Sequence, residues 1–260
     1  MAELEQSAIE IPEIPDMPPV VVTRAPTSRR LMELMQAPEV KPPARRVLRR
    51  RDQGGAHLLR DRCQKLCLSI FYREQAPVRT LGFTSALGGE GKTFLAMMVA
   101  TVLAGDSGVP VTLLECNWEH PTLHEHFDLP RTPGVAEWLR GEAVAAQVRH
   151  QVGDNLFVVP AGDGRYDAVQ LLRMVRERGA LARLAGQDGF VVADLPPVTA
   201  AAYGAMAASL MDAVILVVRA GVTPDPLIQE AIGQLGSVRV EGVVLNQIES
   251  RIPGWLRQLL

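Results

Sequence analysis

Thr84-Ser-Ala-Leu-Gly-Gly-Glu-Gly-Lys-Thr-Phe94 decides how this chain folds. A short β-rich run, Arg79 to Thr84, leads into it, and a helical pattern, Phe94 to Leu103, leads out. Gly88, Gly89 and Gly91 free the backbone between them, so successive N–H groups can turn towards one point. The helix that follows adds its positive N-terminal end. An anion is the natural occupant of such a turn. Lys92 supplies a charge that can reach β- and γ-phosphates, and Thr93 offers a hydroxyl to Mg²⁺. Gly88, Gly89, Glu90, Gly91, Lys92, Thr93 and Phe94 are therefore the expected nucleotide-binding residues. The pattern departs from G-x-x-x-x-G-K-[ST] only at Ala86. Alanine is the mildest replacement there if the local backbone avoids positive φ.

Outward from this stretch, strands and helices alternate. Pro110 to Glu115, Asn155 to Val159, Phe190 to Ala193, Ala213 to Val218 and Val238 to Leu245 read as strands. Val135 to Arg140, Glu142 to Arg149, Ala168 to Leu184, Ala200 to Leu210 and Pro226 to Leu235 read as helices. The strands are near-continuous apolar runs, as burial on both faces requires. The fold class is α/β: a doubly wound, mostly parallel sheet with helices on both faces. Ligands bind such sheets at the carboxyl ends of strands. Phe190-Val-Val-Ala-Asp194 is an apolar strand that ends in a carboxylate, the layout of a second phosphate and Mg²⁺ motif. Capping of the next helix is the other use for Asp194. Glu115 and Asn117 fall at the end of the second strand. Thr93, Glu115 and Asp194 are the candidate Mg²⁺ ligands.

Composition limits the alternatives. The 260 residues are 47% hydrophobic and 22% charged, enough to bury a full core. The net charge of −2 hides a split: residues 23–65 carry twelve Lys and Arg against four acids, between two acidic segments. Eight of the nineteen prolines fall within residues 12–43, which reads as a disordered tail. The expected organisation is a Pro/Arg-rich tail and linker over 1–56, a nucleotide-binding domain over 57–250 and a short amphipathic segment over 251–260. The basic run suits an anionic membrane surface or an acidic partner. It has no interleaved aromatics, so nucleic acid is not expected. Ala200 to Val218 imitates a membrane span, but Asp212 interrupts it. The N-terminus is acidic and lacks an apolar core, unlike a signal peptide. Cys63, Cys67 and Cys116 are too few for a disulfide framework and suit a reducing compartment. His120, His124 and His126 are metal-ligand types, with an ordinary loop as the other reading.

These motifs carry a resemblance. SALGGEGKTF, VTLLECNWEHPTLHEHFDL, PGVAEWLRGE, VVPAG, VVADLPPV, VILVVRAGVTP and VEGVVLN together resemble the cytoplasmic kinase domain of bacterial tyrosine kinases (BY-kinases) of capsule and exopolysaccharide synthesis. That group lies within the MinD/ParA-like P-loop ATPases. The resemblance implies ATP and Mg²⁺ as cofactors, with Asp194 as the Walker B aspartate and Asn246 against the adenine base. It implies a cytoplasmic protein at the inner face of the membrane, acting with a membrane polysaccharide co-polymerase or export (chain-length determinant) protein, and self-association.

The chain departs from the family in three places. The second strand of the family ends in Asp-x-Asp followed by a basic residue; here stand Glu115, Asn117 and Glu119. Asn117 occupies the position of a catalytic base, and a neutral amide cannot take a proton from a tyrosine hydroxyl near pH 7. The C-terminal tyrosine cluster is missing, for the chain has only Tyr72, Tyr166 and Tyr203. The E-x-x-R-x-x-R assembly motif is reduced to Leu59, Arg62 and Lys65. Glu115, Asn117 and Asp194 are thus the candidate catalytic residues of a protein expected to be weakly active or inactive as a kinase. An active tyrosine kinase is one alternative. A MinD/ParA-type positioning ATPase is another, although Leu87 stands where those proteins carry a second lysine.

Overall fold

The structure is a computed structural model, and it describes residues 20–21, 50–74 and 77–247. In chain order its elements are β1 (Val20–Val21), α1 (Arg50–Phe71), β2 (Thr80–Ser85), α2 (Lys92–Ser107), β3 (Val111–Glu115), α3 (Leu123–Phe127), α4 (Val135–Arg140) and α5 (Ala145–Val148). There follow β4 (His150–Gln151), β5 (Leu156–Val159), α6 (Ala168–Glu177), α7 (Ala180–Ala185), β6 (Phe190–Asp194), α8 (Gly204–Ala208), β7 (Ala213–Arg219), α9 (Asp225–Leu235) and β8 (Val240–Asn246). Most of the proline-rich tail, the Arg45–Arg49 part of the basic run and the C-terminal amphipathic segment lie outside the described residues.

Among the described residues, eight strands form one sheet in the order β1-β8-β7-β2-β6-β3-β5-β4. Every pairing is parallel except β4 with β5. Helices cover both faces. Leu59, Cys63, Leu66, Cys67 and Ile70 of α1 pack with Leu95, Met98 and Val99 of α2 over Phe83, Leu113 and Val192. The two cysteines are simply part of that core. On the other face, α4, α6, α7 and α8 cover Leu114, Val191, Ala193 and Val214. Burying each large aliphatic side chain contributes about 2 kcal/mol, so the central strands are held by both layers.

Three elements differ from the sequence expectation. The first helix begins at Arg50, seven residues before the expected start of the domain at 57. The run from Ala168 to Leu184 breaks into α6 and α7, because Gly179 takes φ 56° and ends the helical path there. Ala200 to Leu210 is helical only over Gly204–Ala208, with turns on the preceding residues. Ala201, Ala207 and Ala208 are buried while Ala200 and Ala202 are exposed, so the apolar run overstated both the burial and the length of the helix.

β2 lies between β7 and β6, in the middle of the sheet. The chain leaves it through α2 and crosses β6 to reach β3. The loops after β2, β3, β6, β7 and β8 therefore open at one edge, the carboxyl ends of the strands, where α/β sheets place ligands.

Candidate phosphate-binding site

Ser85 ends β2, and Lys92 begins α2. Between them Gly89 has φ 80° and Gly91 φ 94°, a conformation that side-chain-bearing residues rarely adopt. Gly91 also has no room for a β-carbon, which would fall on Asn246 Nδ2. Ala86 is not among the positive-φ residues, so the absent glycine costs the turn nothing. The first half of the loop is pinned from the β6 side. Thr84 Oγ1 donates to Pro196 O at 2.8 Å, Val198 N to Ser85 O at 2.7 Å and Thr199 Oγ1 to Ala86 O at 2.5 Å. Phe94 is half-buried against the α1–α2 core, anchoring the first turn of the helix.

Thr93 Oγ1 donates to Asp194 Oδ2 at 2.8 Å. The bond fixes the hydroxyl proton and leaves the oxygen lone pairs of Thr93 open. Asp194 is fully buried, and its other oxygen, Oδ1, has no partner. Burial pushes its carboxyl up to about 6, against the pull of Lys92 and the Thr93 hydroxyl. Lys92 is itself almost buried. An orphaned carboxylate oxygen beside a threonine hydroxyl fits a hydrated Mg²⁺, whose bound waters donate hydrogen bonds.

Glu115 pairs in register with Asp194, so two carboxylates stand side by side on neighbouring strands. Their surroundings differ. Glu115 Oε1 accepts from Thr122 N at 2.5 Å and Leu123 N at 2.9 Å, and Oε2 accepts from Ala161 N at 3.2 Å. Both oxygens are engaged by backbone, so Glu115 ties the start of α3 and the loop after β5 to the end of β3. Burial pushes it up to about 7, although the three N–H donors oppose the rise; the nearby Asp194 adds to it. The sequence suggested an Mg²⁺ ligand here, and the structure shows a carboxylate already in use. The two helix-loop amides that bind it lie seven and eight residues on, and Ala161 lies 46 on, separations no local pattern reveals.

Asn117 is buried, with Nδ2 donating to His120 O at 3.3 Å and Oδ1 unpartnered. Trp118 is fully buried and donates Nε1–H to Ala161 O at 2.9 Å. Glu119 borders a cleft lined also by Arg165, Tyr166, Arg173, Met174 and Tyr203. Asn246 ends β8, donating Nδ2–H to Glu90 O at 2.8 Å and accepting at Oδ1 from Gln247 N at 2.9 Å. Its side chain thus holds the phosphate loop. Among the described residues no three His, Cys, Asp or Glu side chains converge as metal ligands, the histidines of α3 included. Sequence reasoning overlooked Thr223, whose hydroxyl donates to Glu90 Oε1; the only sign of it was the motif VILVVRAGVTP, which contains it.

A half-buried threonine bonded to a buried aspartate under a glycine loop, at the carboxyl edge of a parallel sheet, is an arrangement that suits a phosphate and its metal. No family model matches the chain. Individual proteins do. It is 30% identical over 182 residues to the putative tyrosine-protein kinase EpsB of Ralstonia solanacearum, covering 69% of this chain and 24% of that protein. It is 23% identical to the putative tyrosine-protein kinase CapB of Staphylococcus aureus, over 69% of this chain and 79% of the relative. It is 29% identical to the succinoglycan biosynthesis transport protein ExoP of Rhizobium meliloti, over 66% and 22%. Its homologues are bacterial tyrosine kinases. Among solved structures it resembles the VpsO kinase domain, with TM-score 0.67 and 26% identity over 77% of this chain and all of that one. A cobyrinic acid a,c-diamide synthase from Mycobacterium smegmatis, solved with an ATP analog and magnesium, shares the fold at TM-score 0.53 and 18% identity, over 70% and 80%. The chain spans about a quarter of the EpsB relative and 79% of CapB.

Proposed function

We propose that this chain binds ATP with Mg²⁺ and acts as a nucleotide-dependent regulator of a membrane partner in polysaccharide synthesis and export, with weak or no tyrosine kinase activity. One observation carries the reading: the phosphate side of the site is complete, and the acceptor side is not. Gly88 to Thr93 present backbone donors, Lys92 adds charge, and Thr93 with Asp194 would hold the metal. Mg²⁺ in such sites neutralises charge on the β- and γ-phosphates. At the acceptor side, Asn117 offers an amide oxygen that accepts a hydrogen bond but takes up no proton near pH 7. Glu115, the carboxylate that ends β3, is held by three amides. The partner is inferred from the relatives, one of which is named a biosynthesis transport protein. The basic residues before position 57 would favour an anionic membrane surface at the inner face of the cell membrane. Among the described residues no helix is long and apolar enough to cross a membrane.

Calorimetry with Mg·ATP and Mg·ADP on the wild type and Lys92→Ala tests the binding half. Binding by the wild type and none by the variant is expected; no binding by either would sink it. Radiolabel transfer from ATP, abolished by Asp194→Ala, would favour an active kinase instead. The names of the relatives support that second reading. Under it Tyr166, 92% exposed, is the most accessible acceptor; Tyr72 is 49% exposed beside Phe190, and Tyr203 is buried.

A further inference from the structure

Glu90 lies inside the phosphate loop yet is nearly inaccessible. Its carboxylate faces three donors of the protein. Oε2 accepts from Leu87 N at 2.8 Å. Oε1 accepts from Thr223 Oγ1 and from Arg219 N at 3.4 Å. Its backbone carbonyl accepts from Asn246 Nδ2 at 2.8 Å. One residue therefore ties the loop after β2 to the turn after β7 and to the end of β8. That turn is itself ordered, since Thr223 N and Val222 N both donate to Arg219 O.

From this geometry we infer that Glu90 is a positioning residue, which with Thr223 and Asn246 holds the phosphate loop in its binding shape before nucleotide arrives. The inference rests on the phosphate-site reading above. Its physical basis is entropy. A loop with glycines at 88, 89 and 91 has many conformations in isolation, and a ligand that had to order it would bind more weakly. The three tethers remove that freedom in advance. They also turn the Leu87 N–H inward to Glu90, leaving the amides from Gly88 onward for phosphate. The negative charge stays beside a phosphate site only because three donors hold it to the protein side. Thr223 thereby links phosphate affinity to the turn before α9, which meets the loop at Glu90.

The test uses the full chain and Mg·ADP as the probe. Thr223→Val removes the hydroxyl with little change in volume, and Thr223→Ser restores it. Glu90→Gln keeps the shape but lacks one acceptor. A hydrogen bond to a charged group is worth enough for Thr223→Val and Glu90→Gln each to weaken Mg·ADP binding about 10-fold. Thr223→Ser should bind like the wild type, and the melting temperature of nucleotide-free Thr223→Val should stay near that of the wild type. Wild-type affinity in Thr223→Val, or equal loss in Thr223→Ser, would overturn the inference. Hydrogen exchange of the Leu87 amide without nucleotide gives an independent reading: slow in the wild type, faster in Glu90→Gln and Thr223→Val. Equal exchange in all three would also overturn it. Absence of nucleotide binding by the wild type would instead overturn the phosphate-site reading, and the exchange measurement would still decide the tether.

Discussion

The ends of β2 and β3 open on the same edge of the same sheet, and they have been used in opposite ways. After β2, and at the end of β6 beside it, polar groups are kept available: Asp194 Oδ1 is unpartnered, the Thr93 oxygen is open, and Lys92 sits beside them. After β3, the carboxylate is consumed. Glu115 faces the same side as Asp194 but binds three backbone amides, and Asn117 is neutral. Burial and sign of charge are alike at Glu115 and Asp194. What separates a site from a structural clamp is whether the hydrogen-bonding capacity of the buried group is already filled. Under the proposed function, the nucleotide-binding half persists while the half that would receive a proton serves the fold.

The comparison can be broken most directly at Lys92. Lys92→Ala should lower Mg·ATP affinity by about 4 kcal/mol, the scale of removing one partner of a desolvated charge pair, with the fold intact. Calorimetry beside circular dichroism checks both parts. On the β3 side the expected loss is in stability. Glu115→Ala orphans three amides and should lower unfolding free energy by about 3 kcal/mol; a denaturant titration that shows no change would erase the contrast.

A pH series sharpens it further. The carboxyl of Glu115 is raised in the folded protein, so its contribution is fully present below its ordinary pKa and is lost as pH rises through about 7. Glutamine does not titrate. The stability of the wild type relative to Glu115→Gln should therefore fall by about 2 kcal/mol between pH 5 and pH 8. A difference independent of pH would mean that the three N–H donors outweigh burial. The smallest expected effect belongs to Asn117→Asp. Adding a carboxylate near Asp194 and Glu115 should cost about 1 kcal/mol of stability. Phosphoryl transfer that appears only in this variant would mark the site as a kinase that lost its base.

The parallel sheet and the phosphate loop were legible in the sequence because both are local. Six consecutive buried residues in β2, followed by glycines and an apolar helix, need no distant partner to be read. The place of Asp194 at the end of an apolar strand was legible for the same reason. The roles of Glu115, Glu90 and Asn246 were not, because each is defined by groups far along the chain. Thr223 lies 133 residues from Glu90, and Ala161 lies 46 from Glu115. The Arg178–Gly179 break was hidden differently: Leu171, Leu172, Val175, Ala180 and Leu184 are all buried, so the apolar stripe continues across a bend in the backbone.

Gly91 and Asn246 stand 155 positions apart with no space between them. That contact sets an order of events during synthesis. The glycine loop leaves the ribosome early, but the side chain that closes against it belongs to β8, the last strand described here. A nascent chain can bury much of its α1–α2 core while its phosphate cradle is still open. Under the proposed function, competence to bind nucleotide thus waits on the strand that carries Asn246.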